Sequence, residues 1–213
     1  MSATILLTGF MPFGGERTNP SWQVAAKFDR ATIGGAAVRA WELPVNLKRA
    51  GQALAGALQM ARPEAILGLG QAGGRTALSI EQVAINLVDE RRTRETGGAI
   101  GGKPIVAGAP DAYFTRLPVA AILRALARAE IPAERSLSAG IFICNAAMYL
   151  ALHATRDNPA MPVGFIHLPY ATAQAARHRA APSMSLEMMA AGVEIALKVI
   201  ARSLARPRRE AAT

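Results

Sequence analysis

The chain contains a single cysteine, Cys144, and a thiolate is the strongest nucleophile that a side chain offers near neutral pH. It lies where the extended apolar run Ala139-Gly140-Ile141-Phe142-Ile143 gives way to Asn145-Ala146-Ala147-Met148-Tyr149-Leu150, which reads as a helix. A thiol at a helix N-terminus feels the positive end of the backbone dipole, which stabilises thiolate, and free N–H groups there can hold an oxyanion. The plainer alternative is a buried thiol that only fills space. His167 favours chemistry, because in Gly164-Phe165-Ile166-His167-Leu168-Pro169-Tyr170 it closes an apolar strand, where a parallel sheet presents its functional edge. Of the other histidines, His153 lies about two and a half helical turns beyond Cys144, too far to touch it, and His178 falls in a polar stretch rich in Ala and Arg. A Cys-His pair also needs a group to orient the imidazole. Glu81, Asp89 and Glu90 are candidates, and Glu81 leads because it interrupts an apolar run, where a carboxylate needs a partner to offset its desolvation.

Other chemistries find less support. The three histidines and one cysteine are dispersed, without His-Glu-x-x-His or Cys-x-x-Cys, whereas a hydrolytic zinc needs about three convergent protein ligands. No metal and no cofactor is therefore expected. The run Ile66-Leu67-Gly68-Leu69-Gly70-Gln71-Ala72-Gly73-Gly74-Arg75 is glycine-rich after a strand but lacks the Gly-Lys-Ser/Thr ending of a phosphate loop. Its glycines allow a tight turn and a close approach of the backbone to a substrate.

These residues need elements to position them. Short apolar runs bounded by Gly, Pro or Asn predict strands at Ala3 to Thr8, Ala37 to Leu43, Ala65 to Leu69 and Val163 to Leu168. Helical spacing appears over Leu47 to Met60, after Pro118, which suits a first helical turn, and from Ser185 to about Leu204, where Leu186, Met189, Val193, Leu197, Ile200 and Leu204 form one face. Thr76 to Leu87 reads as a strand or a hairpin, and Arg91 to Pro110 as one long loop. Alternating strands and helices imply an α/β fold with a largely parallel sheet covered on both faces. Its functional edge would gather Gly9 to Gly15, Gly70 to Arg75 and the turn around Cys144.

With 213 residues, 51% hydrophobic and 18% charged, the chain suits one globular domain, residues 1–213, ending in a basic tail from about residue 202. A net charge of +9 raises the question of nucleic acid, but the arginines concentrate in the tail or scatter among apolar segments, without a basic stripe interleaved with aromatics. No nucleic-acid partner is expected. One thiol and the absence of a leader pattern at the N-terminus point to the cytoplasm. Ser136 to Thr155 is free of Asp, Glu, Lys and Arg over a membrane-spanning length, yet Cys144-Asn145 at its centre is polar, so a buried strand followed by a buried helix is the expectation.

Six blocks in order carry a family resemblance: Thr8-Gly9-Phe10-Met11-Pro12-Phe13-Gly14-Gly15, Asn19-Pro20-Ser21-Trp22, Gly70-Gln71-Ala72-Gly73-Gly74-Arg75, Glu81-Gln82-Val83-Ala84-Ile85-Asn86, Cys144-Asn145 with Tyr149, and Gly164 to Tyr170. Together they resemble pyroglutamyl peptidase I, the pyrrolidone carboxyl peptidases. The resemblance implies a cytosolic thiol peptidase on an α/β/α sandwich with a largely parallel or mixed sheet, often a homotetramer, that removes N-terminal pyroglutamate from peptides. It also implies a triad of Cys144, His167 and Glu81, with Phe10, Phe13 and Phe142 around the lactam and Gln71 and Arg91 near the site. Arg91 would help neutralise the tetrahedral intermediate. The chain departs from the family pattern at Gln82, Ala146 and Arg92, where the family usually has Arg, His and an aliphatic residue. Those departures keep a noncatalytic or altered-specificity relative as the alternative.

Overall fold

The computed structural model describes residues 2–89, 102–179 and 181–205. Their strands are β1 (Thr4–Phe10), β2 (Thr32–Ile33), β3 (Ala36–Leu43), β4 (Ala65–Gln71), β5 (Leu78–Glu81), β6 (Val83–Ile85), β7 (Ala112–Phe114), β8 (Ala133–Ser136), β9 (Val163–Leu168), β10 (Tyr170–Ala171) and β11 (Ser183–Met184). The helices are α1 (Pro20–Ala26), α2 (Leu47–Ala61), α3 (Val119–Arg128), α4 (Ile143–Ala154), α5 (Thr172–Ala175) and α6 (Leu186–Leu204). The central seven-stranded sheet has the order β2-β3-β1-β4-β9-β5-β8. Strands β3, β1, β4 and β9 run parallel to one another, whereas β5 is antiparallel to β9 and β2 to β3. The sheet is thus mixed and mostly parallel.

Alternation along the strands divides the core into two layers. On β1, Ile5 and Leu7 face one cluster while Leu6 faces the other. The first cluster is covered by α1, α3 and α6, through Val24, Ile122, Leu126, Met189, Val193, Leu197 and Ile200. The second is covered by α2 and α4, through Leu54, Ala57, Met148, Tyr149 and Leu152. Each large aliphatic side chain removed from water in these layers contributes roughly 1.5–3 kcal/mol. On α6 the expected face is buried at Met189, Val193, Leu197 and Ile200, while Leu186 and Leu204 pack at its margin. The Ser185 hydroxyl caps this helix by accepting from the Met188 N–H at 3.1 Å.

The structure revises three sequence expectations. Residues 76–87 form neither one strand nor a hairpin, because β5 joins the central sheet while β6 pairs with β7 in a separate ribbon. The extended run expected to lead into Cys144 is not a strand: β8 ends at Ser136, and Gly140 at φ 77° turns the chain before α4. Pro118 is the N-cap of α3 rather than part of its first turn.

Candidate active site

Three elements converge on one face of the sheet. His167 lies on β9 in register with Gly70 of the neighbouring β4. Ser79 of β5 stands opposite His167, so Glu81, two residues on, projects from the same face and reaches it diagonally. Glu81 is fully buried. Its Oε1 lies 2.7 Å from His167 Nδ1, where the carboxylate accepts from the imidazole N–H and Nε2 is left as the base. The backbone N–H of Asp89, weighed as an alternative, donates to the Ile141 carbonyl at 2.9 Å. Glu90, the other alternative, lies outside the described residues.

Cys144 is the second residue of α4, packed over the same face. A Cβ built on Gly70 would stand 2.8 Å from its sulfur, so the strand beneath the thiol has to carry glycine. The helix entry has no side-chain cap, which leaves N–H groups of its first turn unclaimed by side chains. Asn145 fixes the height of this turn: its Oδ1 accepts from Ile85 N–H, and its Nδ2 donates to the Ile85 and Leu87 carbonyls, each at 2.9 Å. Ala146, one of the departures, is fully buried in the same turn.

Burial outweighs the helix dipole at the thiol. Desolvation, helped by the Glu81 charge, pushes Cys144 up to about 12, while Arg75 and the residue's own N–H pull it down less. The net shift therefore disfavours the thiolate that the helix position alone would favour. Desolvation also lowers His167 below the ordinary histidine value, against the opposing hydrogen bond that it donates to Glu81. Both shifts disfavour the charged forms, as burial in a low-dielectric site requires.

Arg75 was placed at the functional edge by the sequence, but without a role. Its Nη1 lies 3.2 Å from Glu81 Oε1, giving the buried carboxylate a cation as well as the imidazole. The available signal was its place at the end of the glycine-rich run, beside a carboxylate that needed a partner. Asn19 was also missed as a positioning group. Its Nδ2 donates to the Met11 carbonyl at 3.1 Å and its Oδ1 accepts from the Ser21 hydroxyl at 2.7 Å, tying down the loop after β1.

Cys144 and His167 open into a cavity of about 820 Å³. Phe10, Phe13, Phe142 and Gln71 line it. Alternation along β4 sets Gln71 on the opposite face from Gly70, and its Oε1 accepts from Gln174 Nε2 at 2.9 Å. Arg91 and Arg92 lie outside the described residues. Among the described residues no group of His, Cys, Asp and Glu is arranged to hold a metal ion.

A thiol, an imidazole and a buried carboxylate gathered at one sheet of an α/β/α sandwich form a set of groups that cysteine peptidases use. Residues 3–203 match the family model described as pyroglutamyl peptidase. The pyrrolidone-carboxylate peptidase of Escherichia fergusonii is 41% identical over 91% of this chain and 91% of that protein. The Yersinia pestis protein of the same name is 42% identical over 92% of this chain and 91% of its own length. The crystal structure of pyrrolidone carboxyl peptidase from the hyperthermophile Pyrococcus furiosus superposes with a TM-score of 0.85 at 40% identity, covering 94% of this chain and 99% of that one. The chain belongs to the pyroglutamyl peptidase family.

Proposed function

We propose that this chain removes N-terminal pyroglutamate from peptides, with Cys144 as nucleophile, His167 as general base and acid, and Glu81 as the group that orients the imidazole. The observation that carries this reading is the 2.7 Å contact of Glu81 with His167, on the sheet face over which the Cys144 sulfur lies. His167 Nε2 takes the thiol proton as sulfur attacks the pyroglutamyl carbonyl carbon. The oxyanion forms at the start of α4, where backbone N–H groups stabilise it. Collapse expels the peptide amine, which leaves with the proton from His167, and a thioester remains. Water, deprotonated by the same ring, then releases pyroglutamate and restores the thiol.

Phe10, Phe13 and Phe142 suit the substrate because a compact, uncharged lactam gains from aromatic walls. Gln71 contributes at the strand end, with its side chain bound to Gln174, and Arg91 keeps the charge-neutralising role that the resemblance implies. The enzyme acts in the cytoplasm as a homo-oligomer, on this reading. Among the described residues no helix is long and apolar enough to cross a membrane.

The test is hydrolysis of a pyroglutamyl amide with a fluorogenic leaving group, with the corresponding prolyl amide as control. Turnover of the first only, lost in Cys144→Ser, is the expected result. No turnover by the folded, reduced native chain would reject the assignment in favour of an altered site.

A further inference from the structure

The cavity is far larger than one five-membered lactam requires, and its volume lies within the range that holds drug-sized ligands. The aromatic side chains account for the lactam. The wall after β3, formed by Pro44, Val45, Asn46 and Arg49, has no assigned work.

Among the described residues the charge on the cavity lining is one-sided. Among the described residues that line the cavity there is no Asp or Glu, and the two formal charges are Arg75 and Arg49. Arg75 is neutralised by Glu81. Arg49 is exposed, and among the described residues its guanidinium has neither an ion pair nor a hydrogen-bond partner. Local stability does not explain its position. Arg49 lies in the first turn of α2, where its backbone N–H donates to the Asn46 cap at 3.0 Å, and Lys48 precedes it. The first turn of a helix favours anions, and α2 has no acidic residue there. Two cations at that end oppose the dipole, so helix stability alone would not select them. An anion in the cavity would satisfy both the guanidinium and the helix end.

We propose that Arg49 makes this site selective for substrates bearing a carboxylate just beyond the scissile bond. The inference rests on the pyroglutamyl peptidase reading and specifies its substrate class. That carboxylate has two sources, the side chain of an acidic residue after pyroglutamate or the free C-terminus of a pyroglutamyl dipeptide. Either meets the planar guanidinium as a charge-assisted pair, and a basic residue at the same place is repelled.

The experiment compares kcat/KM for four pyroglutamyl dipeptides at low ionic strength: the glutamate, glutamine and lysine amides, and the glutamine free acid. Preference for the glutamate amide over the glutamine amide, or for the free acid over the glutamine amide, is expected at roughly three- to tenfold. The arm that shows the preference identifies the source of the carboxylate, and the lysine amide should be poorest. The preferred ratio should fall to about one in Arg49→Gln, invert in Arg49→Glu and shrink with added salt. Lys48→Gln, which changes the neighbouring charge outside the cavity lining, should preserve it. Ratios near one in a native chain that turns over the glutamine amide would overturn the inference while leaving the peptidase reading intact. So would a ratio unchanged in Arg49→Gln, or one that Lys48→Gln abolishes equally. No turnover of any of the four would overturn both.

Discussion

At Cys144, burial pushes the thiol up to about 12, which disfavours a resting thiolate–imidazolium pair at neutral pH. Alkylation by iodoacetamide should rise with pH without the plateau between pH 5 and 8 that a resting ion pair gives; such a plateau would contradict the account. Glu81 raises His167 against the desolvation that lowers it. Removing the carboxylate charge should therefore move the acid limb of kcat/KM to lower pH. Glu81→Gln is expected to show that shift together with a loss of about 10²–10⁴ in kcat, measurable in a pH–rate profile. Cys144 and His167 were legible in the sequence because a helix start and a strand end before proline leave local marks. The preference for Glu81 was legible too, since a carboxylate within an apolar run needs a partner. The role of Arg75 was hidden because its contact with Glu81 depends on how a loop folds back over β5. The rise of the thiol pKa was also hidden, because burial is a tertiary property that the helix position does not reveal.

The elements hold these groups through a few polar anchors. Asn145 ties α4 to the segment around β6 through three hydrogen bonds while almost fully buried. Asn145→Ala should destabilise the fold by roughly 2–4 kcal/mol, because it orphans buried backbone groups as well as removing bonds. Thermal or urea unfolding measures this, and a change below about 0.5 kcal/mol would show that the anchor carries no load. The four main strands and the long helices followed from period and end signals, with boundaries close to those expected. The direction of β5 did not, since a period of two residues says nothing about which way a strand runs. Yet that antiparallel course sets Glu81 diagonally opposite His167. The separation of β6 from β5 was equally invisible, because its partner β7 lies beyond the intervening loop.

Across the whole molecule, contacts far apart in sequence link the site to stability. Glu16, in the loop that carries Phe13, meets Arg177 at 2.5 Å, His178 at 2.6 Å and Gln174 at 3.3 Å. These partners hold its carboxyl at about 2, against an ordinary 4.5. A depressed carboxyl stabilises the fold above the unfolded value and loses that contribution as pH falls from 4.5 toward 2. Glu16→Gln should lower Tm at pH 7, with the difference from the native chain narrowing through that window. A difference that stays constant down to pH 2 would show that the linkage is absent. His178 was read from the sequence only as part of a polar stretch; its stacking on Tyr170 at 4.4 Å and its bond to Glu16 arise from the return of the chain beside the first loop.

The most direct measurement is to mix the native enzyme with a pyroglutamyl ester, quench in acid within a turnover, and map the acylated residue by mass spectrometry. One pyroglutamyl group per chain in thioester linkage at Cys144 is expected, decaying as free pyroglutamate appears. Continued turnover with no acyl group on Cys144, or with the group on another residue, would contradict Cys144 as the nucleophile.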